Sequence, residues 1–226
     1  MPGIARPLAA EFFGTLFLLI AVVGSGIMAE RLAGGNMAVA LLANALATGA
    51  ALAVLITILG PVSGAHLNPS VSLYFALSEK LAWRVAVLYA LVQIPGAILG
   101  VWLTHMMFAM PILEVSTHLR KGPSQFLAEF IATTGLLATI AGAIRFAPSS
   151  TPMLVGLYIM GAYWFTASTS FANPAVTIAR TFTDSFSGIA PVSAPGFIAA
   201  QLAATVVAAF CLKWLFDIPG GGPVRQ

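Results

Sequence analysis

Ser63-Gly-Ala-His-Leu-Asn68-Pro69-Ser70-Val-Ser-Leu73 and Ser170-Phe-Ala-Asn173-Pro174-Ala175-Val-Thr177 lie in the two halves of one apolar chain. Each reads as the start of a short helix, because Asn is a favoured N-cap and Pro is preferred at the first helical position. Two helix starts inside hydrophobic sequence point to two half-helices that end in the middle of a bilayer. That geometry builds pathways for solutes.

The composition agrees with a lipid setting. The chain has 226 residues, of which 59% are hydrophobic and 8% charged, whereas a soluble domain carries roughly a quarter charged residues. So few polar groups cannot cover a globular surface, and the chain reads as an integral membrane protein in a lipid bilayer. The net charge of +3 is scattered, with no basic run of the kind that binds nucleic acid. The pI of about 9.4 reflects a shortage of acids. Cys211 is the single cysteine, which excludes an intrachain disulfide and a multi-thiolate metal or metalloid site. The first apolar stretch runs past Leu18 to Met28 without a small-residue cleavage signal, so it reads as a spanning helix and not a removable signal peptide.

A spanning helix needs about 20 apolar residues. Six stretches qualify: Leu8–Met28, Met37–Leu59, Ala82–Met106, Phe126–Phe146, Met153–Thr169 and Pro195–Phe216. Pro61–Ser78 and Ser168–Val192 are apolar but interrupted. They fit re-entrant segments, since irregular backbone at membrane depth is tolerated where it lines a cavity. The halves repeat: Ala10-Glu11-Phe12 opens span one, Ala128-Glu129-Phe130 opens span four, and Gln93 in span three matches Gln201 in span six. Three spans per repeat is an odd number, so the second half is expected to be inverted. The expectation is an all-α membrane protein, a single channel domain over 1–226 with inverted repeats at about 5–107 and 124–217. With both termini in the cytoplasm, Arg6, Lys80, Arg84, Arg145, Lys213 and Arg225 fall inside, and Arg31, Arg120, Lys121 and Arg180 outside. That is a weak positive-inside bias. Gly96 and Gly100 in span three, and Ala199, Ala200, Ala203 and Ala204 in span six, suit close helix packing in lipid.

With two Asn-Pro motifs, paired Ala-Glu-Phe openings and six spans, the chain resembles the aquaporin (major intrinsic protein) family over nearly its whole length. The resemblance implies a homotetramer with one pore per subunit, and a short chain with brief termini resembles a bacterial inner-membrane protein. It also implies passive flow of water or small neutral solutes, without cofactor or catalysis; a metal site is not expected, because there are only three histidines and His105 and His118 belong near the other end of a span or in a loop. Pore-centre roles fall on Asn68, Pro69, Ser70, Asn173, Pro174 and Ala175. The physics agrees. A helix N-terminus carries roughly half a positive charge, so two facing ends repel cations. Each Asn oxygen can cap its own half-helix, which leaves its NH2 to donate into the pore.

In most relatives an arginine follows the second Asn-Pro-Ala, whereas this chain has Val176. Transferring the family's outer constriction by spacing gives Thr48, Gly161, Ser170 and Val176, a set without aromatic, histidine or arginine. It predicts a wide, weakly polar filter. Such a second motif resembles a bacterial aquaglyceroporin branch associated with arsenic-resistance operons, and implies arsenite and methylated arsenicals as solutes. Arg180 lies about one helical turn past Val176 and either reaches the outer vestibule or contacts loop carbonyls and solvent.

Glu11 and Glu129 are intramembrane carboxylates, which call for a functional hypothesis. A proton relay would make the protein an ion-coupled secondary transporter. The structural alternative, that each accepts bonds from the irregular backbone beside a half-helix, fits the twofold repetition better. His66 is expected to turn its carbonyl to the pore and pack its ring behind. Gln93 and Gln201 are expected to bond loop backbone. A general glycerol and water channel, and a structural junction protein with a vestigial pore, are the other readings. An enzyme has little support, because no nucleophile, base and oxyanion donors share a depth.

Overall fold

The computed structural model describes residues 3–216. Arg225, counted above among the inner cations, and residue 217, the end assigned to the second repeat, lie outside them. The described residues form α1 (Ala5–Leu32), α2 (Met37–Ser63), α3 (Pro69–Leu77), α4 (Trp83–Met107), α5 (Pro123–Phe146), α6 (Thr151–Phe165), α7 (Pro174–Ala179) and α8 (Ala194–Phe216). The pattern long, long, short, long thus occurs twice: six membrane-crossing helices and two half-helices, α3 and α7.

Five of the six long helices, all but α6, have the length and apolarity to cross a membrane unaided. α6 differs from the sequence expectation of Met153–Thr169. It has 15 residues, or about 22 Å of rise, and follows a 3-10 turn at Pro148–Ser150. It stops at Phe165 because the chain becomes extended at Thr166 (φ −111°, ψ 136°) and enters the second re-entrant segment.

Small residues set the helix spacing. A Cβ on Gly96 would run into the Phe12 carbonyl oxygen, and one on Gly100 would run into that of Leu16. α4 therefore touches α1 backbone to backbone. α2 and α6 meet in the same way: a Cβ on Gly49 would lie 2.6 Å from the Gly156 oxygen, and one on Gly156 would lie 2.5 Å from the Gly49 oxygen. Lipid gives apolar helices no hydrophobic reason to associate, so close van der Waals contact of this kind carries the packing. Large apolar side chains such as Phe17, Leu46, Leu91 and Phe210 cover the outer surface.

Candidate pore

Both half-helices begin as the motifs require. Asn68 and Asn173 are extended (φ −159° and −158°), and each is followed by Pro at the first helical position. Asn68 Oδ1 accepts from the Ser70 N–H at 2.9 Å. Asn173 Oδ1 accepts from Ala175 at 2.9 Å and from Val176 at 3.3 Å. These bonds satisfy N–H groups that the first turn leaves without helical partners.

The amide nitrogens differ from the sequence expectation. Asn68 Nδ2 donates to the Ala172 carbonyl at 2.7 Å, and Asn173 Nδ2 donates to the Leu67 carbonyl at 2.8 Å. Each NH2 is therefore tied by one bond to the residue before the opposite Asn. An amide nitrogen has two hydrogens, so one on each Asn is left for the cavity that both residues line.

The segments leading into the motifs share an unusual backbone. Ala65 (φ 47°) and Leu67 (φ 49°) lie three and one residues before Asn68, and Ser170 (φ 50°) and Ala172 (φ 48°) lie at the same offsets before Asn173. Such left-handed residues without glycine cost roughly 1–3 kcal/mol each and need surrounding structure to hold them. The two glutamates supply it. Glu11 accepts from the N–H groups of His66 (2.9 Å) and Leu67 (2.7 Å), and Glu129 accepts from Phe171 (2.9 Å) and Ala172 (2.8 Å).

Gln93 Nε2 donates to Glu11 at 2.8 Å and Gln201 Nε2 to Glu129 at 2.6 Å. The expectation that these glutamines bond loop backbone is therefore corrected: they act through the carboxylates. Each also reaches a hydroxyl one turn into the half-helix, Ser72 at 3.3 Å and Thr177 at 2.9 Å. Ser72 and Thr177 escape the sequence reading, although both stand four residues after their Asn. Both glutamates and both glutamines are fully buried and stand behind the cavity wall. His66 lines the cavity, and its ring stacks on Phe75 with centroids 4.7 Å apart.

The cavity measures about 110 Å³. Leu18, Val22, Leu136, Ile140, Val155 and Ile159 give it an apolar wall, and Thr48, Ser170 and Val176 also line it. Pro69, Ser70, Pro174 and Ala175 form the bodies of the half-helices behind Asn68 and Asn173 and do not line it.

Two parts of the filter reading are corrected. Gly161 is exposed on the outer side of α6, where its nearest neighbour is the Phe165 ring. The cavity face of α6 is Val155, Ile159 and Tyr163, spaced one turn apart, and at 100° per residue Gly161 points to the opposite side. Tyr163 brings an aromatic ring to the cavity, with its hydroxyl 3.3 Å from Thr48 Oγ1. The second correction concerns charge. Of the alternatives open for it, Arg180 meets both the cavity and a loop carbonyl, and not solvent: it is 2% exposed, lines the cavity, donates from Nε to the Ser187 carbonyl, and stacks on Phe171 with its guanidinium carbon 3.4 Å from the ring centroid. An aromatic and an arginine are thus present, neither of them at the transferred positions.

Among the described residues, no three of His, Cys, Asp and Glu gather as a metal would need. The sequence model of the family described as major intrinsic protein matches residues 2–167. The chain belongs to the major intrinsic protein family. It is a multi-pass membrane channel for small solutes and not an enzyme. It is 53% identical to the aquaglyceroporin AqpS of Rhizobium meliloti (strain 1021) over 99% of this chain and 95% of the relative. It is 37% identical to aquaporin NIP1-4 of Oryza sativa subsp. japonica over 59% of this chain and 48% of that one. The X-ray structure of the aquaglyceroporin from Plasmodium falciparum shares the fold, with a TM-score of 0.74 at 23% identity over 94% of this chain and 98% of that one.

Proposed function

We propose that the channel passes small uncharged solutes that carry hydroxyl groups: water, glycerol and neutral metalloid acids, with arsenite and methylated arsenicals as cargo. The observation that carries this reading is an apolar-walled cavity lined by both motif asparagines. A hydroxylated solute finds hydrogen-bond partners at Asn68 and Asn173 and weak contacts elsewhere, so it enters and leaves quickly, as conduction requires. Arsenious acid is largely neutral near pH 7 and presents hydroxyls like a small polyol. The aquaglyceroporin relative supports the polyol class. We assign Thr48, Tyr163, Ser170 and Val176 to the constriction.

The placement of Glu11 and Glu129 favours passive flow, since both carboxylates are occupied with backbone N–H groups behind the wall. We further read the protein as a homotetramer of the bacterial inner membrane with cytoplasmic termini. Lys80, Arg145 and Lys213 line one cleft, which supports a cation-rich inner face. The test is a swelling assay on proteoliposomes with water, glycerol, urea and arsenious acid, paired with arsenite uptake in cells. Glycerol and arsenious acid flux above empty vesicles supports the reading. Water flux alone, or accumulation driven by a proton gradient, refutes it.

A further inference from the structure

We infer that Arg180 is the charge-selecting residue of the outer constriction, a cation set one helical turn beyond the position that Val176 fills. The inference rests on the channel reading above and adds its electrostatic gate. Arg180 lies at the end of α7, and its side chain lines the same cavity as Asn68, Asn173 and Val176. Val176 and Arg180 are four residues apart, so they share a helix face. Side chains on a helix lean toward its N-terminus, which carries a long Arg180 side chain back toward the level of Val176.

The hydrogen bonding separates a structural part of Arg180 from a free one. Nε donates to the Ser187 carbonyl, and the face of the guanidinium rests on Phe171. Nη1 is buried and has no protein partner. Buried guanidinium donors are normally satisfied. One left open, on a residue that lines a solute cavity, has no competing bond to break when a small rotation of the side chain turns it toward a passing solute. The Ser170 hydroxyl, beside Phe171 on the same wall, is a second buried group without a partner.

Arg120 is the control within the structure. Its guanidinium lies 5.3 Å from the centroid of the Phe171 ring. Its donors go to the carbonyls of Gly188 at 2.9 Å and of Ser168 and Phe186 at 3.5 Å each. Arg120 holds the loops together, and Arg180 alone of the two lines the cavity.

A fixed unit charge a few ångströms from the path disfavours a monovalent cation by about tenfold or more at an effective dielectric constant near 20. A neutral hydroxyl gains a strong donor at the same point. The test uses the full chain in proteoliposomes at matched abundance, reading proton and sodium leak together with the glycerol-to-water permeability ratio. Arg180→Gln is expected to raise cation leak by about tenfold or more and to lower the ratio. Because this change also removes the bond to Ser187, Val176→Glu provides a second route. It leaves Arg180 in place and sets a carboxylate one turn away to neutralise it, with the same rise in leak expected. Arg180→Lys keeps a cation but gives up the stacking on Phe171 and the Nε bond to Ser187, so its leak is expected to fall between that of the parent and that of Arg180→Gln. Arg180→Gln combined with Val176→Arg returns the cation and restores low leak. Parental leak and an unchanged ratio in Arg180→Gln or in Val176→Glu overturn the inference. Absence of glycerol flux in the unaltered protein would instead refute the channel reading beneath it.

Discussion

At the residue scale, the wall position after the second motif and the carboxylates behind it make separable claims. Val176 faces the cavity, so Val176→Arg adds volume and a second cation beside Arg180. Glycerol permeability is expected to fall by about tenfold or more, and water permeability by much less, in stopped-flow light scattering. Equal loss for both solutes would contradict a filtering role. Glu129 holds the N–H groups of Phe171 and Ala172 and the amide of Gln201. Glu129→Gln loses the charge on those bonds and turns an NH2 toward groups that are already donors. A loss of the order of 3 kcal/mol is expected, read as a fall in melting temperature in detergent micelles, while downhill solute flow in the surviving fraction stays independent of a proton gradient. Sequence makes the glutamates, glutamines and asparagines legible because each occurs twice in register. It does not reveal that they meet in two crossed sets, Gln93–Glu11–Leu67–Asn173 and Gln201–Glu129–Ala172–Asn68. Nor does it reveal Tyr163, because the transferred spacing counts residues back from Asn173 across an extended stretch whose length a helical period does not fix. The signal available is the Val155, Ile159, Tyr163 row, which identifies the inner face of α6 without reference to the motif.

At the scale of elements, contact between helices depends on places where a side chain is missing. A methyl on Gly96 meets a backbone oxygen of α1, and backbone cannot swing aside. Gly96→Ala is therefore expected to cost about 1–3 kcal/mol and to lower the melting temperature of the solubilised protein. Gly60 lies within α2 just before Pro61, and no other helix comes within 4 Å of the place a methyl would take there. Gly60→Ala is the control: the gain in helix propensity is offset by the restriction that Pro61 places on the residue before it, so stability should stay within about 1 kcal/mol of the parent. If both substitutions behaved alike, close packing of α1 on α4 would not be the reason for Gly96. Five of the spans are readable from apolar length. Apolar length carries α6 four residues too far, because the chain becomes extended at Thr166, a backbone change that hydrophobicity does not register, and it leaves α1 three residues short at its start and four at its end.

At the scale of the whole molecule, the two halves are tied through their loops as well as through their half-helices. Ser116, Thr117 and His118, between α4 and α5, bond to the segment that follows α7: Ser116 N–H to the Thr181 carbonyl at 3.0 Å, Thr117 N–H to Asp184 at 2.7 Å, and the Ala190 N–H to the His118 carbonyl at 2.7 Å. The Thr117 N–H holds the exposed Asp184 carboxyl below its ordinary value of 3.8. A folded value below the unfolded one gives stability that is present above the unfolded pKa and lost as pH falls through the folded one. Thermal stability should therefore be insensitive to this group between about pH 8 and pH 5 and decline below about pH 4. Asp184→Asn should show a shallower acid limb, and an identical limb in both proteins would exclude the tie as its cause. Within the bilayer the interlock is the crossed pair of asparagine bonds, and it has a consequence for biosynthesis. When the ribosome has delivered only the first repeat, the Asn68 amide has no Ala172 carbonyl to meet and the Leu67 carbonyl has no Asn173. The newborn chain must shelter that half-made segment, in the insertion machinery or at the wet edge of the membrane, for about a hundred more residues of translation. Final seating of α3 is thus a late event, timed by the arrival of a counterpart it cannot replace.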